Sequence, residues 1–277
     1  MKRSVIWAIA QKDMKMITSN LQIWLPMIIL PLMLGVVLPT ALLIALKSSD
    51  LSSVKGIETF LNVVNQLPSG ALQDKFDTLP TTNHKLIYLL TNYTLAPIFL
   101  LIPVMVCSLV AANSFVGEKE RRTLESLLFA PVTVKELFVA KVLAALLPAL
   151  ALTLATFLIY GVIVDALTYS LFGGLIFPNW NWVVLILWVV PAISLCTILI
   201  SVLISARVKG FQEAQQLAGV IVLPVVALVV GQGTGLLFLT PLLMGVIGAV
   251  LYAVCAVVLP RIAKLNDREL LFERQVH

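Results

Sequence analysis

Apolar residues fall into six long runs parted by short polar stretches, near 23–46, 86–112, 137–164, 182–205, 216–230 and 236–259. About 20 predominantly apolar residues in a helix cross a hydrocarbon layer of roughly 30 Å. The pattern therefore predicts six membrane-spanning helices, the fifth run being the shortest. Ahead of them, residues 1–22 set Trp7, Ala10, Met14, Ile17 and Leu21 at helical spacing against Lys12, Asp13 and Lys15. This predicts an amphipathic helix in the headgroup layer, anchored by Trp7 and too polar to span. No small-residue cleavage site follows the first run, so it reads as a retained span. Between Lys47 and Lys85, Ile57, Phe60, Leu61 and Val64 form a further stripe that ends at Leu67-Pro68-Ser69-Gly70. Gly231 to Gly235 would force the last two spans into a hairpin, and residues 260–277 form a polar tail.

The region 113–136 departs from this rhythm. From Glu118 the pattern is helical: Leu124, Leu127 and Leu128 share a face, while Glu118 with Arg122 and Arg121 with Glu125 are i,i+4 pairs. Pro131 ends that helix, and Thr133 with Glu136 has the spacing of a capping box opening the next one. A loop between spans needs only a few residues, so a bounded, charged helix here predicts something to contact. Prolines interrupt most spans (Pro26, Pro31, Pro39, Pro97, Pro103, Pro148, Pro191, Pro224), and each is expected to kink its helix.

Composition agrees with a lipid solvent: 60% of the 277 residues are hydrophobic and 12% charged. Charge then sets orientation. Of the nineteen Lys and Arg, fifteen lie before the first span, between the second and third, after the fourth, or after the sixth. The other four (Lys47, Lys55, Lys75, Lys85) share the first outer loop with Asp50, Glu58, Asp74 and Asp77. The positive-inside rule predicts that both termini and the charged helix are cytoplasmic, in a multi-pass protein of the cell (plasma or inner) membrane. The basic residues show no aromatic interleaving, so nucleic acid is not an expected partner.

The stretch 114–141 resembles the cytoplasmic coupling helix of ABC-2 type ABC-transporter permeases, through Glu118-Lys119-Glu120, the run Thr123, Leu124, Glu125, Leu127 and Leu128, then Pro131, Glu136 and Lys141. Arg122 stands where that family often has Gly or a polar residue. The resemblance implies one transmembrane domain over 1–277: an all-α integral membrane protein, similar to type V exporters. It has six transmembrane helices, an N-terminal amphipathic interface helix, a cytoplasmic coupling region over 113–136 and a cytoplasmic tail. It also implies a transport subunit of an ATP-driven exporter, whose partners are a separate ABC ATPase, a second permease copy or a paralogous permease, and the lipid bilayer. Glu118, Glu120, Arg121, Arg122, Leu124, Glu125, Leu127 and Leu128 would form the ATPase-coupling interface, the leucines by apolar contact and the charges by setting register.

The chemistry that is missing fits. No G-x-x-x-x-G-K-[ST] occurs, so ATP is expected on the partner and no cofactor on this chain. His84 and His277 lie outside the spans, and Cys107, Cys196 and Cys255 have no metal-ligand spacing and read as small buried hydrophobes. No catalytic or metal residues are assigned. Asp165 is the one carboxylate near a span interior, which disfavours an ion-driven carrier. A secondary transporter or a membrane assembly or scaffold protein is the alternative. Ser108, Thr153, Thr156, Ser194, Thr197 and Ser201 are pathway candidates beside the simpler reading of helix packing. The N-x-T match at Asn92 reads as chance. The uncharged spans suit an amphipathic or apolar cargo, and the substrate class stays open.

Overall fold

The computed structural model describes residues 3–48, 76, 78–117, 133–205, 207–208, 210–233 and 239–265. Among these the secondary structure is helical, without strands. An amphipathic helix α1 (Arg3–Ser19) precedes six candidate spans: α2 (Leu21–Ser48), α3 (Thr82–Gly117), α4 (Val134–Phe172), α5 (Trp180–Ser205), α6 (Phe211–Gln232) and α7 (Pro241–Leu265). The chain is thus an all-α, multi-pass membrane protein. The stripe at Ile57 to Val64, the loop after Gly233 up to Phe238 and the tail beyond Leu265 lie outside the described residues.

Local chemistry explains where the helices begin and stop. The Asn20 side chain accepts the amide of Gln22 at 3.1 Å, separating α1 from α2. Gly173 ends α4 at φ 65, in the left-handed region where glycine is least strained. The Asp165 carboxylate then accepts the amides of Ile176 and Phe177 at 3.1 and 3.2 Å, folding the turn back onto α4, and Asn179 caps α5. Asp165 therefore does structural work in this turn. Thr240 caps α7, whose first residue is Pro241, a position that needs no amide donor. The α7 helix passes Pro260 without a break.

Three prolines are preceded by a widened turn. Pro39, Pro97 and Pro191 each follow a π-turn (Met33–Val37, Leu90–Thr94, Leu185–Val189) that contains the residue four positions earlier, namely Gly35, Tyr93 or Leu187. A proline ring clashes with that carbonyl and leaves it without a donor, and a wider turn relieves both problems. Pro26, Pro31, Pro148 and Pro260 instead lie inside uninterrupted α-helix.

The bundle is built around α3. Its apolar stretch is 78% buried, against 28% for α2 and α4 and 17% for α6 and α7. Lipid is as apolar as leucine, so helices in a membrane associate through close packing and polar contacts. Both are present. At Gly35 in the α2 π-turn, a Cβ would collide with Thr156 of α4 and come within 3.2 Å of Phe99 of α3. Toward the α4–α5 turn, Phe99, Phe157, Tyr160, Phe177 and Trp182 stack with centroid separations from 4.8 to 5.8 Å. The Tyr160 hydroxyl (2.9 Å) and the Trp182 indole N–H (3.1 Å) both donate to the carbonyl of Thr91, within the second π-turn. Outward-facing apolar stripes remain, such as Val246, Val250, Val254 and Val257 on α7, as expected of lipid-facing surface.

Tyr160→Phe and Trp182→Phe should each lower stability by about 0.6–1.5 kcal/mol. The double variant should lose more than the sum, because only then is the Thr91 carbonyl stripped of both donors. Thermal unfolding of the detergent-solubilised chain measures this, and simple additivity would show that the carbonyl does not couple the two side chains.

Candidate functional site

Helices α2, α4 and α6 begin, and α3, α5 and α7 end, at one end of the bundle, which also carries α1. The residues assigned by resemblance to coupling (Glu118, Glu120, Arg121, Arg122, Leu124, Glu125, Leu127 and Leu128) lie outside the described residues. The two roots of that stretch are described: the π-turn Asn113–Gly117 that finishes α3, and the first turns of α4.

Thr133 and Glu136 form the expected capping box. The Glu136 amide donates to Thr133 Oγ1 at 3.3 Å, and the Thr133 amide donates to Glu136 Oε2 at 3.2 Å. The two satisfied donors, with the acidic residue in the first turn, fix where α4 starts. One and a half turns later Lys141 is buried, 2% exposed, and so is Asp13 of α1, at 0%. Their charged groups are 3.8 Å apart. Lys141 Nζ also donates to the carbonyl of Ser114, and Ser114 Oγ donates to Asp13 Oδ2 at 3.5 Å. The ammonium lies 5.3 Å from the centre of the Phe115 ring, which packs in turn near Phe138 at 6.4 Å. One carboxylate from α1 thus reaches both roots. Beneath it, Ile17 shares an apolar cluster with Val106 and Val110 of α3 and Ala145 and Ala149 of α4. Ala112 and Val116 pack with Val208 and Ala214 from the α5–α6 connection.

This corrects one part of the expected pattern of α1: Ala10 and Ile17 of the expected stripe are buried, but so is Asp13, which the pattern put on the polar face. Its buried face is Ile6, Ala10, Asp13 and Ile17, whereas Trp7 is 49% exposed and Leu21, just past α1, is 65% exposed. The hydrophobic pattern puts Asp13 on the polar face because a carboxylate without a visible partner belongs in water. A stripe at 6, 10, 13 and 17 is equally helical, and a partner cation across the bundle reverses the assignment. Lys141 was legible as an isolated cation entering an apolar run. Its partner was not, because 128 positions separate the two.

The other candidates fall elsewhere. Thr153, Thr156 and Ser194 donate to carbonyls four residues back in their own helices, and Ser108 to one three back. Thr197 and Ser201 are buried within the chain. Cys107, Cys196 and Cys255 are buried and not disulfide-bonded, and Asn92 is wholly buried, which removes it as a glycan acceptor.

Comparison with protein families matches residues 7–267 to the family described as ABC-2 family transporter protein. The chain belongs to that family. It is accordingly a membrane permease of the ABC-transporter class, a transport subunit and not itself a catalyst. Comparison with curated proteins and with solved structures found no match. The match runs through α1 and across the stretch between α3 and α4, so the buried Asp13, Ser114 and Lys141 all fall inside it.

Burying two charges is costly, and removing one partner of such a pair costs about 3–5 kcal/mol because the other charge stays desolvated. Lys141→Met should therefore lower the thermal midpoint sharply in detergent. Asp13→Leu combined with Lys141→Met should recover much of the loss, since the desolvation cost disappears with both charges. Equal stability of the single variant and the native permease would mean that the pair is not an energetic unit.

Proposed function

We propose that this permease is the membrane-spanning subunit of an ATP-driven exporter, working with a separate ABC ATPase and a second copy of itself or a paralogous permease. ATP binds the ATPase, and no cofactor binds this chain. The observation that carries the reading is the ABC-2 family match, joined to the buried contact of Lys141 with Ser114 and Asp13 that ties the first turns of α4 to the end of α3. A segment that receives force must be held firmly where it leaves the membrane helices. Otherwise its displacement is absorbed locally instead of tilting α3 and α4. In this reading Leu124, Leu127 and Leu128 fill an apolar cleft of the ATPase, and Glu118, Glu120, Arg121, Arg122 and Glu125 set register. The segment and both termini then face the cytoplasm of a cell that carries the protein in its plasma or inner membrane, a reading that the distribution of Lys and Arg supports.

Two experiments test this. Reversal of Glu118, Glu120 and Glu125 to Lys, or Leu127→Asp, should leave membrane insertion intact and abolish co-purification of the ATPase. Losing one side of a desolvated charge contact costs about 2–5 kcal/mol, whereas exposed helix pairs are worth only about 0.2–0.5. Unchanged complex formation and ATPase stimulation would overturn the coupling assignment. For orientation, a single cysteine at Asp74, in a background without Cys107, Cys196 and Cys255, should react with an impermeant thiol reagent outside intact cells, and one at Gln275 should not. Labelling at Gln275 would reverse the topology.

A further inference from the structure

We infer that α1 is a moving part of the permease, held as one body with both roots of the 118–132 stretch by Asp13 and Lys141 acting as positioning residues. The inference rests on the reading that this stretch docks an ATPase, but the brace itself can be tested without one.

An amphipathic helix that only anchors the chain to a bilayer surface needs an apolar face for lipid and a polar face for water. Helix α1 has a third feature. Its protein-facing stripe of Ile6, Ala10 and Ile17 carries a fully buried carboxylate at Asp13. Apolar residues of similar volume at such a site are often no less stable than an ion pair, so a buried pair is poor evidence of a stability device. It is good evidence for a fixed register, because a carboxylate and an ammonium in a low-dielectric site tolerate little sliding before either charge is stranded. The contacts are arranged for that purpose. Lys141 belongs to α4, three residues beyond Phe138 and five beyond the capping Glu136. Its ammonium meets Asp13 and also the carbonyl of Ser114, which lies in the π-turn ending α3. Ser114 Oγ closes the triangle on the same Asp13 oxygen that faces Lys141. Neither root can shift relative to the other, or to α1, without breaking a charge-assisted contact. Ile17, one turn further along α1, locks into the apolar cluster shared by α3 and α4. Displacement of the roots therefore carries α1 with it, and the exposed Trp7 side would be dragged through the headgroup layer at each cycle.

Spin labels on Gln11→Cys and Lys135→Cys, both exposed positions, report the spacing of α1 and α4 in the full chain in bilayer nanodiscs, with Cys107, Cys196 and Cys255 replaced. A second pair, Tyr169→Cys and Trp180→Cys, reports the opposite end. The native Asp13–Lys141 pair should give a narrow Gln11–Lys135 distribution. Asp13→Asn should broaden it by about twofold or more through local opening, with the Tyr169–Trp180 pair unchanged, and Asp13→Lys with Lys141→Asp should narrow it again. An unbroadened distribution in Asp13→Asn would overturn the brace. Hydrogen exchange of the unsubstituted chain gives a second test that needs no variant. Amides Ala10 to Ile17 should exchange as one unit with Ala140 to Ala145, and exchange of α1 that is faster by about tenfold or more would also overturn it. In the complex with the co-purified ATPase, the Gln11–Lys135 distance should stay fixed between ATP and ADP while Gln11 moves relative to a label at Leu242→Cys on the peripheral α7, 82% exposed. A change in the first distance refutes the brace. A fixed first distance with no movement of Gln11 against Leu242 leaves the brace standing and refutes α1 as a moving part.

Discussion

A buried lysine is what ties the basic end of this bundle together. Lys141 has almost no contact with solvent, so its charge is tolerable only where an anion and oriented dipoles surround it. Asp13, the Ser114 carbonyl and the face of Phe115 supply these from two other helices. Satisfying one side chain therefore fixes the mutual placement of α1, α3 and α4. The capping box at Thr133 and Glu136 determines where α4 starts, and so the height at which Lys141 enters the bundle. The stretch between α3 and α4 consequently leaves from two points whose separation is set by buried polar contacts.

At the other end of the same helices, a different device gives comparable rigidity. Pro97 would leave its helix with a steric clash and a missing donor, and the π-turn at Leu90–Thr94 accommodates it. The carbonyl of Thr91 in that turn becomes the meeting point of a tyrosine from α4 and a tryptophan from α5. Proline-associated widening of α3 is thus used for assembly, with an aromatic stack packed around it. Between the two locked ends, α2 approaches through Gly35, where no larger residue fits. α6 and α7 are held less tightly and keep most of their surface outward. A bundle with a rigid α1–α3–α4 unit and two peripheral spans has the division needed for rigid-body motion.

By itself the sequence determined the solvent, the number of spans, the helical class, the capping box and the family resemblance, because each depends on residues close together in the chain. Twenty apolar residues in a row must span, and Thr133 with Glu136 must cap, whatever lies nearby. The burial of the three cysteines followed from the same local reasoning. Tertiary structure alone decided that α1 buries Ile6 and Asp13 beside the expected Ala10 and Ile17, since the partner of Asp13 lies on α4. It also decided that α3 is central, that three of the prolines are relieved by π-turns, and that Asp165 holds a turn. In lipid, apolar patterning does not tell a helix which neighbour to prefer, because lipid and leucine are equivalent partners. The choice passes to a few polar groups and close approaches, and their partners lie scores of residues away.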